Sequence, residues 1–171
     1  MNIEIAYLEW MEPVLTIVGG LFIGFVFKTY FFSRIKKFSD GTSWKGDDVV
    51  INAFDSMVIF WFFLASLSIA LSNVALADPY NVYASKLIFA FLVISVSLTL
   101  SKIIMGLLDV WSKSNNSLPS TGIFKGLVNV SIYSLGFLII LQSFGISITP
   151  LITALGVGGL AVSLALKDTL S

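Results

Sequence analysis

Five stretches of this chain are apolar over the length of a membrane-spanning helix: residues 13–32, 49–72, 82–108, 126–143 and 150–170. A helix rises about 1.5 Å per residue, so about 20 residues cross the roughly 30 Å of bilayer hydrocarbon. Backbone amides in lipid must be satisfied within the segment, which leaves α-helices or closed barrels. Stretches this long and this uniformly apolar predict helices. Composition agrees: 57% of the 171 residues are hydrophobic and 12% are charged, against about 25% charged in soluble domains. So few charges cannot cover the surface of a soluble protein of this size. The mean hydropathy is +0.95. The fold class expected is an all-α membrane protein with five transmembrane helices.

The last two spans need separating, because no charge lies between Lys125 and Lys167. Phe144-Gly145-Ile146-Ser147-Ile148-Thr149-Pro150 divides them. Gly145 suits a helix C-terminus, while Thr149 and Pro150 suit an N-cap and the first helical position. Two helices joined by a tight loop are predicted.

Loop charges then orient the bundle. Arg34, Lys36, Lys37 and Lys45 lie between the first two spans, and Lys113 and Lys125 between the third and fourth. The opposite loops, residues 73–81 and 144–149, hold no Lys or Arg. Basic residues favour the cytoplasmic side, so the N-terminus is expected outside and the C-terminus inside. Lys86, near the outer end of the third span, dissents. Trp10, Trp44, Trp111, Tyr7, Tyr30, Tyr80 and Tyr83 all fall near span ends, as interfacial aromatic residues do. The first residues are acidic and lack the basic segment of a signal peptide, so the first span is expected to be retained.

Composition also removes whole classes of function. The chain has neither cysteine nor histidine, which eliminates disulfides, thiolate and imidazole metal sites, cysteine nucleophiles and histidine bases. Neither enzyme activity, nor a cofactor, nor a metal is expected. Ten basic and ten acidic residues cancel, and nothing in that balance points to nucleic acid. Lys28, Asp55, Lys86 and Lys102 lie within a turn or two of span ends. There they are expected to snorkel to the interface as anchors, with Asp55 also favoured by the helix dipole. None sits at mid-membrane, where a proton relay would place it.

The final span is unlike the others, since no aromatic residue follows Phe144. At about 100° per residue, Gly156, Gly159 and Ser163 form one narrow stripe, and Ala154, Gly158, Ala161 and Ala165 form a second on the opposite side. Small residues at such spacing let helices approach closely in lipid. Two opposite stripes suit two neighbours, as in a cyclic oligomer. Leu155, Val162 and Leu166 then make a bulky outward arc, and Leu160 and Leu164 lie on the remaining arc with Thr153 and Val157. In a ring, that arc would stack two apolar collars about the axis, and a narrow apolar collar can stop ions by dewetting. The same stripes would also serve a helix buried inside a monomeric bundle, so geometry alone leaves both arrangements open. Gly156-Val157-Gly158-Gly159 is no phosphate loop, because no strand precedes it and no Gly-Lys-Ser/Thr follows. Nor does it carry the Thr-Val-Gly-Tyr-Gly pattern of a potassium filter.

One resemblance bears on this choice. Ala154-Leu155-Gly156-Val157-Gly158-Gly159-Leu160-Ala161-Val162-Ser163-Leu164-Ala165-Leu166-Lys167-Asp168-Thr169-Leu170-Ser171 closely resembles the pore-helix signature of the mechanosensitive channel of small conductance (MscS-like) family. The match covers about the last fifth of the chain. It implies a homoheptamer in the cell (inner) membrane, opened by tension to release ions and small solutes on hypo-osmotic shock. Leu160 and Leu164 match the constricting leucines, and Ala154, Gly156, Gly158, Gly159, Ala161, Ser163 and Ala165 match the packing faces. Residues 1–81 would be an extra peripheral hairpin, 82–149 a tension-sensing hairpin and 150–171 the pore-lining helix. Membrane lipids and permeating ions would be the other partners. Asp168 stands where the prototype has a hinge glycine, so Lys167 and Asp168 are the candidate hinge or inner mouth. The family continues into a β-rich cytoplasmic domain, and this chain stops within the motif, so a longer natural chain is expected. The competing classes are a secondary transporter, which should show repeated halves and broken helices, and a non-conducting membrane scaffold.

Overall fold

The computed structural model describes residues 3–39, 46–74, 80–114 and 121–170, and every element among them is helical. Helix α1 (Ile3–Phe27) passes through a five-residue π-helical turn (Lys28–Phe32) into the short α2 (Ser33–Ser39). Then come α3 (Gly46–Asn73), α4 (Tyr80–Ser114), α5 (Thr121–Ser143) and α6 (Thr149–Leu170). Trp44 and Lys45 lie outside the described residues.

Among the described residues, four stretches are long and apolar enough to cross a membrane: Met11–Lys36, Gly46–Asn73, Tyr80–Ser112 and Phe124–Ser143. The apolar part of the fifth, Thr149–Ala165, is shorter. Two boundaries differ from the sequence expectation. Helix α1 starts ten residues before the expected position 13 and carries Pro13 in its interior, which membrane helices tolerate. Helix α4 runs to Ser114 rather than 108 and has 35 residues, or about 52 Å, well beyond the hydrocarbon thickness. Its extra turns carry Asp109, which pairs with Lys125 at the start of α5.

The helices pack in chain order, α1 on α3, α3 on α4 and α4 on α5. Small residues make these contacts close. Gly20 and Gly24 of α1 are spaced as a Gly-x-x-x-Gly pair and face Ser66 and Phe62 of α3; a Cβ on Gly24 would lie 2.7 Å from Phe62 Cβ. Gly106 of α4 sits against Val49 of α3, and Gly136 of α5 against Ser97 of α4. Without a hydrophobic drive between helices in lipid, such close backbones and interhelical hydrogen bonds hold a bundle. Trp61 Nε1 of α3 donates to Ser95 Oγ of α4 at 2.9 Å. Ser101 of α4 donates to Asn129 Oδ1 of α5, and Tyr133 Oη donates to Ser101 Oγ at 3.3 Å. No buried side-chain N or O among the described residues lacks a partner.

The buried apolar cluster is small: Phe32, Ile51 and Val58, flanked by Ile35 and Ile59. Leu64, Ile132 and Leu138 are buried at helix contacts, but many other large apolar side chains face outward, Phe25, Leu127 and Val130 among them. In water such a surface would drive aggregation; in a bilayer it is the solvent-compatible face.

Candidate pore-lining helix

The link from α5 to α6 is set by backbone hydrogen bonding. Helix α5 ends at Ser143, and Gly145 takes a left-handed φ of 85°. Gly145 N–H donates to Gln142 O at 3.0 Å, and Ile146 N–H donates to Leu141 O at 3.1 Å. These two bonds are the Schellman pairing, which satisfies carbonyls that a helix end leaves free. Only a residue without Cβ adopts that conformation at little steric cost. The sequence expectation for Gly145 therefore holds. Helix α6 begins slightly earlier than expected, because Ile152 N–H donates to Ile148 O at 2.9 Å. Ile148 is thus the N-cap and Thr149 the first helical residue, while Thr153 Oγ1 donates back to Thr149 O at 2.9 Å. Pro150 remains in the first turn, where a missing N–H costs nothing.

From there α6 runs unbroken to Leu170 over 22 residues, or about 33 Å. Among the described residues it packs against no other helix of the protomer. Added Cβ atoms on Gly156, Gly158 and Gly159 would meet nothing within 4 Å. This contrasts with Gly20, Gly24, Gly106 and Gly136, whose missing side chains are each filled by a neighbouring helix. Leu160 and Leu164 are 68% and 69% exposed, and Leu155 and Val162 on the other arc are exposed as well. Ala154, Ala161, Ser163 and Ala165 are likewise exposed. The small stripes are therefore not consumed by the chain's own bundle, the alternative that helical geometry left open. Lys167 is exposed in the last turn, where its charge complements the helix C-terminus. The backbone at Asp168 is helical.

The charges within the spans are more closely partnered than the anchor reading expected. Asp55 of α3 receives Lys28 at 3.6 Å and Lys36 at 3.7 Å, from the π-helical turn and α2. Lys102 Nζ donates to Ser56 Oγ at 3.3 Å. Lys86, the residue at odds with the loop-charge rule, lies 5.9 Å from the ring centroid of Phe144, within cation–π range. Sequence reading missed the Gly20/Gly24 pair, although its spacing was visible. It also missed the Lys28–Asp55–Lys36 group, whose members are too far apart along the chain for any local pattern to join. Among the described residues no group of acidic side chains could hold a metal.

Residues 126–167, which take in most of α5 and α6, match the family described as mechanosensitive ion channel, transmembrane helices 2/3. The chain is 36% identical over 164 residues to the small-conductance mechanosensitive channel MscMJ of Methanocaldococcus jannaschii, covering 92% of this chain and 47% of that protein. The chain thus spans about half the length of the curated relative it matches. No solved structure matches it significantly. Fold and comparisons together define a multi-pass helical membrane protein with the helix pair of mechanosensitive channels. Both matches support the mechanosensitive channel of small conductance (MscS-like) family for this chain.

Proposed function

We propose that this chain forms the membrane part of a tension-gated ion channel, a cyclic homo-oligomer, heptameric by family resemblance, with α6 around its axis. One observation carries the reading: α6 bears two opposite stripes of small residues and has no partner in its own protomer. Copies of the same helix on either side would cover both stripes at once. Leu155 and Val162 then face the outer helices, and Leu160 and Leu164 face the lumen as two stacked apolar collars. Residues 1–81 serve as a peripheral hairpin and 82–149 as the hairpin that transmits tension. Lys167 and Asp168 sit at the inner mouth, in a cell (inner) membrane with the N-terminus outside and the C-terminus cytoplasmic.

Tension does work on any state of larger in-plane area, so stretching the bilayer shifts the closed–open equilibrium. The α1–α3–α4–α5 bundle, apolar on its outer surface, tilts with the lipid and draws α6 outward. Glycine and alanine faces let neighbouring copies of α6 slide, and the leucine collars widen to pass ions and small solutes during hypo-osmotic swelling.

The deciding experiment is patch recording of the full-length protein in giant liposomes, with Leu160→Ser beside Leu155→Ser. A hydroxyl in the collar hydrogen-bonds water and favours wetting. Leu160→Ser should open at lower tension, whereas Leu155→Ser should leave the closed neck dry. An unchanged threshold in Leu160→Ser with a lowered one in Leu155→Ser would reverse the assignment of the lumen face. Absence of any tension-activated current in the unaltered protein would remove the channel reading itself.

A further inference from the structure

We infer that the outer face of α1 and the π-helical turn is a binding site for an anionic phospholipid, with its phosphate on Arg34 and one acyl chain along the groove above. The groove has a volume of about 500 Å³ and is lined by Phe22, Ile23, Val26, Phe27, Tyr30, Phe31 and Arg34. All seven come from one continuous helical segment, and their spacing explains the shape. Phe22, Val26, Tyr30 and Arg34 follow one another at intervals of four, as do Ile23, Phe27 and Phe31. Residues four apart form ridges on a helix surface, and two adjacent ridges enclose a groove. The π-helical turn at Lys28–Phe32 takes more residues per turn, which brings residues four apart nearer to alignment with the axis. Phe27 and Phe31 stack at 4.7 Å and make one wall continuous.

Length and charge identify the occupant. From Phe22 to Arg34 the helix rises about 18 Å, close to the roughly 15 Å depth of one hydrocarbon leaflet. An acyl chain running the groove therefore leaves its headgroup at Arg34, beside the Tyr30 hydroxyl. The cations around this end are divided between two sides of the helix. Lys28 and Lys36 turn toward α3 and share Asp55, together with the buried Phe32 and the packed Ile35. Arg34 turns the other way, is exposed, and has no ion-pair partner among the described residues. A planar guanidinium matches a phosphate in bidentate fashion, and a charge on Arg34 that is not shared with Asp55 favours a lipid of net negative charge over a zwitterionic one.

The site can be tested without reference to channel activity, so its failure and that of the channel reading are separable. The full-length protein is reconstituted into nanodiscs of equimolar phosphatidylglycerol and phosphatidylcholine, and retained lipids are counted by native mass spectrometry. Retained phosphatidylglycerol should exceed phosphatidylcholine, and Arg34→Gln should lower that ratio by roughly tenfold, the scale of one charge-assisted hydrogen bond. Lys36→Gln, which removes a cation already paired with Asp55, should preserve the preference. Val26→Trp fills the groove and should reduce retention of both lipids, while Val26→Leu should not. Equal loss in Lys36→Gln and Arg34→Gln would mean diffuse attraction and overturn the site. So would retention unchanged by Val26→Trp, or a groove that retains no lipid because another subunit covers it.

Discussion

Lys28 Nζ lies 3.6 Å from Asp55 Oδ1, and this pair ties the π-helical turn to the first half of α3. Lys36 reaches the other carboxylate oxygen at 3.7 Å, so one acidic side chain holds two cations from two successive elements. All three side chains keep some exposure, which limits the stabilisation to the order of 1 kcal/mol per contact. Asp55→Asn should therefore lower the thermal unfolding midpoint in detergent by a few degrees, and Lys36→Gln by less, because Lys28 retains its partner. Equal shifts for the two variants would show that the carboxylate is not shared.

The α1–α3 contact depends on the absence of side chains at two positions. A Cβ on Gly24 would come 2.7 Å from Phe62 Cβ, inside any allowed carbon contact. Gly24→Val should destabilise the protomer by about 1–3 kcal/mol, as overpacking does. Gly24→Ala already introduces the clashing atom, and Gly19→Ala is its matched control, since nothing lies within 4 Å of the added atom there. The comparison is made by thermal denaturation of the purified protein.

Gly159 offers the opposite case. An added Cβ there meets nothing in its own chain, so Gly159→Leu should leave the fold of a protomer intact while forcing apart neighbouring copies of α6. Helicity by circular dichroism should be unchanged, and light scattering on a sizing column should show loss of assembly or a smaller species. Normal assembly with unchanged tension gating would remove the case for tight packing along that stripe.

The proposed orientation can be read by labelling, and the chain is convenient because it contains no cysteine. Ser147, exposed in the α5–α6 link, should react as Ser147→Cys with an impermeant thiol reagent added to intact cells. Ser33, exposed at the start of α2, should react as Ser33→Cys only after lysis. The reverse pattern would invert the topology.

Much of the architecture was legible because a bilayer leaves the backbone so few choices. An uncharged apolar run must satisfy its own amides, so residues 49–72 or 126–143 could be assigned to helices without knowing their neighbours. Gly145 could be placed as a helix stop for a similarly local reason: its backbone conformation excludes a Cβ. The ends of α1 and α4 were less legible, because helix continues past the hydrocarbon edge wherever the flanking residues tolerate it. Residues 3–12 of α1 and Asp109 in α4 are helical for that reason.

What the sequence alone determined, then, is local: spans, the turn at Gly145, and the small and bulky arcs of α6, all consequences of hydrogen bonding and helical period. What only the tertiary structure decided is which faces meet. Gly20, Gly24 and Gly159 are the same residue in similar apolar surroundings, yet the first two are filled by Ser66 and Phe62 and the third stands open. Asp55 could have reached water alone, but the fold brings Lys28 and Lys36 to it. Lipid is as apolar as the side chains it surrounds, so hydrophobicity says that a helix is in the membrane and not what it leans on; the choice of neighbour rests on close packing, hydrogen bonds and paired charge, which exist only once distant segments have met.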